Sequence, residues 1–337
     1  MTQPPATETT ATAIRRLPPH SGEPAPKLAE VPAFVEMIGQ GWARQPTPAA
    51  VAPGAAAAAE RHRAALSQAI GQRDVVVFAG HAPIRNNDCY HEFRADSNFV
   101  WLTGCQLEFG AVVLRPNGAG HDATLFAPAP ARPGQAGFFS SAAYGELWVG
   151  PSPGLSDWSD ALDLPVKDAK ELEPELSRLV HPLVSGTVAG DELTRRSLTA
   201  SAELDAVLAH LRMFKDAWEV GQLREAVAAS VAGFEAVAAA IPEAVNLPRG
   251  ERWLQATFDR CARALGNGPG YASIVGSAAH APILHWVRCD GAIDPEAPLL
   301  LDMGVEARSL YTADVTRTLP PSGVFSPAAR QTHDLVE

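Results

Sequence analysis

Apolar and polar positions follow two different rhythms along this chain. Up to about residue 190 the apolar residues come in short runs: Asp74–Gly80, Phe99–Gly104, Ala111–Arg115, Ala123–Phe126 and Leu183–Ala189. Turn-rich spacers bound them, so each run reads as a strand of a sheet. Helices join from about Tyr144 onward: Asp157–Leu162 and Lys167–Leu179 are candidates, the second weakened by Pro174. An Ala-rich helix, Ala55–Ile70, precedes the sheet and stops at Gly71.

The rhythm changes near residue 213. Asp216-Ala217-Trp218-Glu219 has the form of a capping box. Val220, Leu223, Val227, Val231, Phe234 and Val237 then recur at helical spacing, and Pro242 is expected to end the helix near Ala240. A second helix over Glu251–Leu265 aligns Leu254, Phe258, Cys261 and Leu265 and stops at Gly266. Short strands are expected over Tyr271–Gly276, Ile283–Val287, Leu299–Met303 and Leu310–Thr318, and a last helix from Ser326-Pro327. The reading is an α/β (α+β) chain with a tail over 1–50, a first domain over 51–212 and a second over 213–337. Residues 1–30, rich in Pro, Thr and Ala without aromatics, read as disordered, and Val31–Ile38 as a docking helix.

Charge narrows the partners. With 27 basic against 38 acidic residues the net charge is −11, which speaks against nucleic acid and against an anionic membrane surface. No apolar run looks long enough to span a bilayer; Ala226–Ile241 comes nearest and is broken by Glu235. Cys89, Cys105, Cys261 and Cys289 have no paired spacing, so reduced thiols and a cytoplasmic setting are expected.

The candidate chemistry lies in two stretches. Pro298–Gly304 is an apolar run ending on Asp302; Ser309–Thr318 alternates Tyr311, Ala313 and Val315 with Thr312, Asp314 and Thr316. Aspartate is disfavoured in strands. If residues 303–310 turn the chain back, Asp302 and Asp314 face one another and repel unless a cation lies between them. Divalent metals suit such carboxylates, and two-metal hydrolases hold their ions ~3.5–4 Å apart. His285, among apolar neighbours, reads as partly buried and able to lean into the same cleft. Trp148 is either core or an exposed binding aromatic. Tyr90–Asn98 reads as a polar turn with an Arg–Asp pair, and Gly266–Gly270 as a helix-ending loop.

Tyr271–Ser277, Ile283-Leu284-His285, Leu301–Gly304 and Asp314–Thr318 resemble, in order and spacing, the catalytic domain of aminopeptidase P (Xaa-Pro aminopeptidase). Arg94–Gly104 resembles that family's N-terminal domain, and Leu211–Lys215 its inter-domain junction, so the likeness runs over roughly residues 60–337. It implies an RNase H-like domain followed by a pita-bread metallopeptidase domain. It also implies two divalent ions, usually manganese, held by two Asp, one His and two Glu. Asp302 and Asp314 match the aspartate ligands, His285 the substrate-side histidine, and Trp148 an aromatic that some members lend to a neighbouring subunit. The implied reaction is release of the N-terminal residue from peptides with proline second, by a homodimer or homotetramer; a prolidase-type dipeptidase and a non-catalytic peptide-binding module are the alternatives. The family's later His and Glu ligands have no counterpart before Glu337. The pita-bread domain is therefore expected to be truncated, and the chain as written to be inactive.

Overall fold

The computed structural model describes residues 27–43, 47–87, 89–186 and 196–336. It contains two compact units, one formed by residues up to 44 with 131–150, the other by 45–130 with 151–337. In the smaller unit, a helix over Pro32–Ile38 sets Phe34 edge-on to Phe139, at 5.1 Å between ring centres, and Trp42 meets Phe138 in the same way. The disordered tail expected over 1–30 lies outside the described residues as far as residue 26; Leu28–Glu30 form a helical turn.

The larger unit opens with helix α1 (Ala55–Ile70) and a five-stranded sheet of β1 (Val75–Phe78), β2 (Ala111–Pro116), β3 (His121–Ala127), β4 (Val166–Asp168) and β5 (Leu183–Gly186). Their order is β4-β3-β2-β1-β5, with β1 antiparallel to β2 and parallel to β5. β1 is buried on both faces: Val75 and Val77 pack with Leu66, Phe99 and Leu208, while Val76 and Phe78 pack with Phe126 and Val184. A strand buried on both faces has no polar positions, hence its unbroken apolar run.

Phe99–Gly104 is helix, not strand: α2 spans Ser97–Thr103. The Asp96 side chain accepts from the amides of Asn98 and Phe99, and Gly104, at φ +78°, closes the far end. An N-cap and a C-terminal glycine outweigh the β propensity of a short aromatic run. The stretch 167–179 also departs from expectation: β4 takes 166–168, and only Leu172–Leu176 forms an α-helical turn. Helix α3 (Leu155–Leu162) forms as read, and β5 is described as far as Gly186, residues 187–189 lying outside the described set.

Beyond α4 (Ala202–Met213), helix α5 (Ala217–Ala244) starts at the capping box: Asp216 accepts from the Glu219 amide, and Glu219 from the Asp216 amide. It runs through Pro242, which lacks the N–H that would bond the Ala238 carbonyl. At 28 residues it is long and apolar enough, by length and composition, to cross a membrane, contrary to the sequence reading. Its buried stripe is Ala226, Ser230, Gly233 and Val237, whereas Val227 and Val231 face outward. The small residues are needed because α6 (Gly250–Leu265) comes close: a Cβ on Gly233 would sit 2.6 Å from the Phe258 ring. On α6, Leu254, Phe258 and Ala262 are buried, and Leu265 is exposed.

Beyond α6 come two small sheets. β6 (Gly268–Pro269) pairs with β9 (Val305–Glu306); β7 (Ile274–Ser277) and β10 (Thr316–Leu319) flank the central β8 (Leu299–Asp302), both antiparallel. Leu299, Leu301, Met303 and Val305 join Val237, Leu254 and Phe258 in a second core. The expected strand over 283–287 is a run of turns, and the one expected over 310–318 is regular only from Thr316. Helix α7 (Pro327–Val336) follows.

Candidate metal centre

β8 alternates as the core requires: Leu299 and Leu301 are buried, and Asp302 emerges half-buried on the opposite face. The chain then doubles back. Asp302 pairs with Thr316, and Glu306 with Thr312, in one unbroken register that sets Gly304 opposite Asp314. Amide bonds from Met303 to the Val315 carbonyl (3.0 Å) and from Ala313 to the Val305 carbonyl (3.1 Å) pin the segment bearing Asp314, although it lies just outside the regular strand. Asp302, Gly304, Asp314 and Thr316 therefore share one face, with the two carboxylates as diagonal neighbours. Gly304 leaves that face open between them, and a Cβ there would collide with the Ala313 carbonyl oxygen.

Both carboxylates meet at Tyr271. Its hydroxyl donates to Asp302 Oδ1 at 2.7 Å, and the Asp314 side chain adjoins the same hydroxyl. Burial pushes the Tyr271 hydroxyl well above the usual phenol range, and the two carboxylates push it further. Asp302 and Asp314 stand on one face of the paired segments, and their donors are hard oxygens of the kind divalent ions select. Among the described residues no third His, Cys, Asp or Glu completes a three-ligand group there. The pair fits part of a divalent-metal shell.

His285 lies in the turns between β7 and β8 and is exposed, which corrects the expected strand and partial burial. Its neighbour Trp286 is the buried residue, its indole N–H donating to Glu251. Trp148 sits in the smaller unit on a short helix (Glu146–Val149), 55% exposed, with its indole N–H on the Phe139 carbonyl. Arg94 reaches Glu306 at 2.7 Å. Gly266–Gly270 ends α6 as expected, and Asn267 there holds both the backbone carbonyl and the carboxylate of Glu306.

His62, Asp216 and Glu219 form a three-ligand group that the sequence did not bring together. Its carboxylates are already matched. Glu219 accepts from Trp101 Nε1 (3.1 Å), Tyr311 Oη (2.8 Å) and the Asp216 amide (2.7 Å), and Asp216 holds Arg61 at 2.7 Å. Burial works against ionisation of Asp216, but the Glu219 amide and Arg61 prevail and hold it below the usual carboxylate range. His62 stacks on Trp101, gives Nδ1 to the Trp101 carbonyl and turns Nε2 toward both acids at 3.5 and 3.6 Å. This cluster lines a cavity of about 210 Å³ shared with Arg94, Arg212 and Lys215. With Arg61 already supplying a cation, it reads as a brace rather than a metal centre. Cys105 is not a nucleophile either, since burial pushes its thiol up to about 12.

The family described as "Aminopeptidase P, N-terminal domain" matches residues 59–187, and "Metallopeptidase family M24" matches 221–337. Xaa-Pro aminopeptidase 2 of Streptomyces coelicolor is 41% identical over 313 residues, covering 88% of this chain and 63% of the relative. Xaa-Pro aminopeptidase 1 of the same organism is 39% identical over 286 residues, 83% of this chain and 58% of its own length. The structure of zinc-substituted Escherichia coli aminopeptidase P in complex with product superposes with a TM-score of 0.66 at 22% identity, covering 86% of this chain and 67% of that one, a likeness of fold. The chain spans about 63% of the length of the first of these relatives.

Proposed function

This chain belongs to the aminopeptidase P family of metallopeptidases, and from that premise we propose that it is part of a metal-dependent enzyme releasing the N-terminal residue from peptides with proline second. The observation that carries the reading is the convergence of Asp302 and Asp314 on the Tyr271 hydroxyl. Two carboxylates brought together with a single hydroxyl donor between them are under-neutralised, and a divalent cation is the remedy that chemistry offers.

Asp302 and Asp314 would hold the ions, manganese by preference; two carboxylates have four oxygens, so the other ligands of a two-ion centre come from other residues. When bound, such ions acidify water and polarise the scissile carbonyl. The contribution of this chain is positional. Tyr271 fixes the Asp302 carboxylate by its hydrogen bond, as outer partners of metal ligands do. His285, exposed on its loop, would donate to the scissile carbonyl oxygen as it gains charge on addition of water. Trp148, exposed on the smaller unit, is available to line the peptide site of a neighbouring subunit in a dimer or tetramer. We divide the chain functionally at residues 51–212 and 213–337, and place the protein in the cytoplasm.

Manganese titration of the metal-stripped chain, followed by peptide assays, tests this. Binding should weaken at least tenfold in Asp302→Asn and in Asp314→Asn. Any cleavage should require metal and a proline in second position, and should act on peptides longer than the dipeptide. Metal binding indifferent to both substitutions would overturn the site; equal cleavage of peptides without proline would overturn the specificity. Cleavage confined to dipeptides would identify a prolidase.

A further inference from the structure

We propose that Glu251 is the positioning residue for the loop that carries His285; the proposal rests on the role given to His285 above. Glu251 is fully buried in the first turn of α6, where the helix N-terminus favours a carboxylate. Four donors surround it. Oε1 accepts from the Ser277 amide (2.9 Å) and His280 Nδ1 (2.8 Å); Oε2 accepts from Trp286 Nε1 (2.8 Å) and the Gly291 amide (2.8 Å). Ser277 and Gly291 are the two ends of the loop, and His280 and Trp286 its middle. One carboxylate therefore closes the loop and tethers its interior.

The tether matters because the side chains around His285 are exposed. Ile283 and Val287 are exposed, Leu284 is 87% exposed, and Trp286 is the single buried side chain in 281–288. Trp286 stacks on His280 at 3.8 Å, so both interior donors to Glu251 form one aromatic plug. At Gly291 a Cβ would lie 2.9 Å from Glu251 Oε2, so the loop returns where only glycine lets it come this close. The neighbouring α6 residues add to the seam: Arg252 reaches the Arg288 carbonyl, and Gln255 the Ser273 carbonyl. The position of His285 is set through Trp286 and, behind it, Glu251. A misplacement of about 1 Å in such a group is enough to lower a rate about a hundredfold.

Glu251→Gln tests the clamp, because an amide nitrogen must face two of the four donors. On the full 337-residue chain, hydrogen exchange of amides 278–291 should accelerate at least about tenfold while those of β8 keep their protection. Trp286→Phe, which removes one donor and leaves the carboxylate, should loosen the same segment by less. Unchanged exchange in 278–291, or an equal rise through β7 and β8, overturns the clamp. In a form that cleaves Xaa-Pro peptides, Glu251→Gln should lower kcat about ten- to a hundredfold with KM within about twofold, and Glu251→Gln/His285→Ala should be no slower than His285→Ala. Fully additive losses overturn the positioning role. If no form cleaves such peptides, the role of His285 fails, and the exchange result still decides whether Glu251 holds the loop.

Discussion

Glu219 and the pair Asp302–Asp314 sit in the same unit and have opposite surroundings. Glu219 is 2% exposed and takes three donors, from Trp101, Tyr311 and the Asp216 amide. Asp302 and Asp314 are half-buried and exposed, and between them lies the Tyr271 hydroxyl. A buried carboxylate saturated by donors is fixed and has nothing left to bind. Two carboxylates with a shortage of donors keep their attraction for a cation. The same contrast marks the two tyrosines: burial and a carboxylate raise both hydroxyls, but Tyr311 serves the brace and Tyr271 the open pair.

The comparison is most severely tested on its buried side. Glu219→Ala orphans three donors and removes the counterpart of His62, so we expect a loss of about 3–5 kcal/mol in urea unfolding, the range for breaking a buried charged network. A loss below about 1 kcal/mol would mean that Glu219 is not the brace. Gly304→Ala comes next. Its methyl meets the Ala313 carbonyl oxygen, and parting the strands there should lower stability by about 1–3 kcal/mol and weaken manganese binding in step. A stable variant with unchanged metal affinity would show that the spacing of the two aspartates is not set by this contact.

On the open side the sign reverses. Asp302→Asn or Asp314→Asn removes repulsion between diagonal neighbours, so the metal-free chain should hold its stability or gain up to about 1 kcal/mol. If either substitution destabilised the metal-free chain as much as Glu219→Ala does, the distinction between saturated and open carboxylates would collapse.

Sequence disclosed the open pair better than the brace, for a physical reason. An aspartate ending a run such as Leu299–Leu301 violates the local pattern, so the anomaly is visible at its own position. Glu219 looks like an ordinary capping residue, and Glu251 like an acid in a first helical turn. What makes each special is a partner distant in sequence: Tyr311 lies 92 residues from Glu219, and Trp286 35 from Glu251. Tyr271 was visible within a matching motif, yet nothing local shows its hydroxyl turned toward Asp302, 31 residues on. The sheet strands were legible wherever both faces are buried, as in β1. The failures fell where a cap outweighed propensity, as in α2, or where an apolar run surrounds a single buried anchor, as at Trp286.

Tyr271→Phe gives the finest test of the pair. At neutral pH it removes one hydrogen bond to a half-buried carboxylate, a loss of about 1 kcal/mol. The pH dependence is more informative. The hydroxyl is raised in the folded chain, so its proton is held more tightly there than in the unfolded chain, where it leaves near pH 10. Below pH 10 both states keep the proton and stability is unaffected by it; above pH 10 the unfolded state ionises first and stability falls as pH rises toward the folded value. Urea midpoints at pH 8, 10 and 11 should therefore decline less steeply in Tyr271→Phe than in the parent, and Tyr311→Phe should flatten the same slope by relieving the second raised hydroxyl. Bound manganese should change only the Tyr271 contribution, because the cation takes up the negative charge of Asp302 and Asp314 and leaves Glu219 as it is. Equal sensitivity of the two slopes to metal would mean that the ion does not bind where the two aspartates meet.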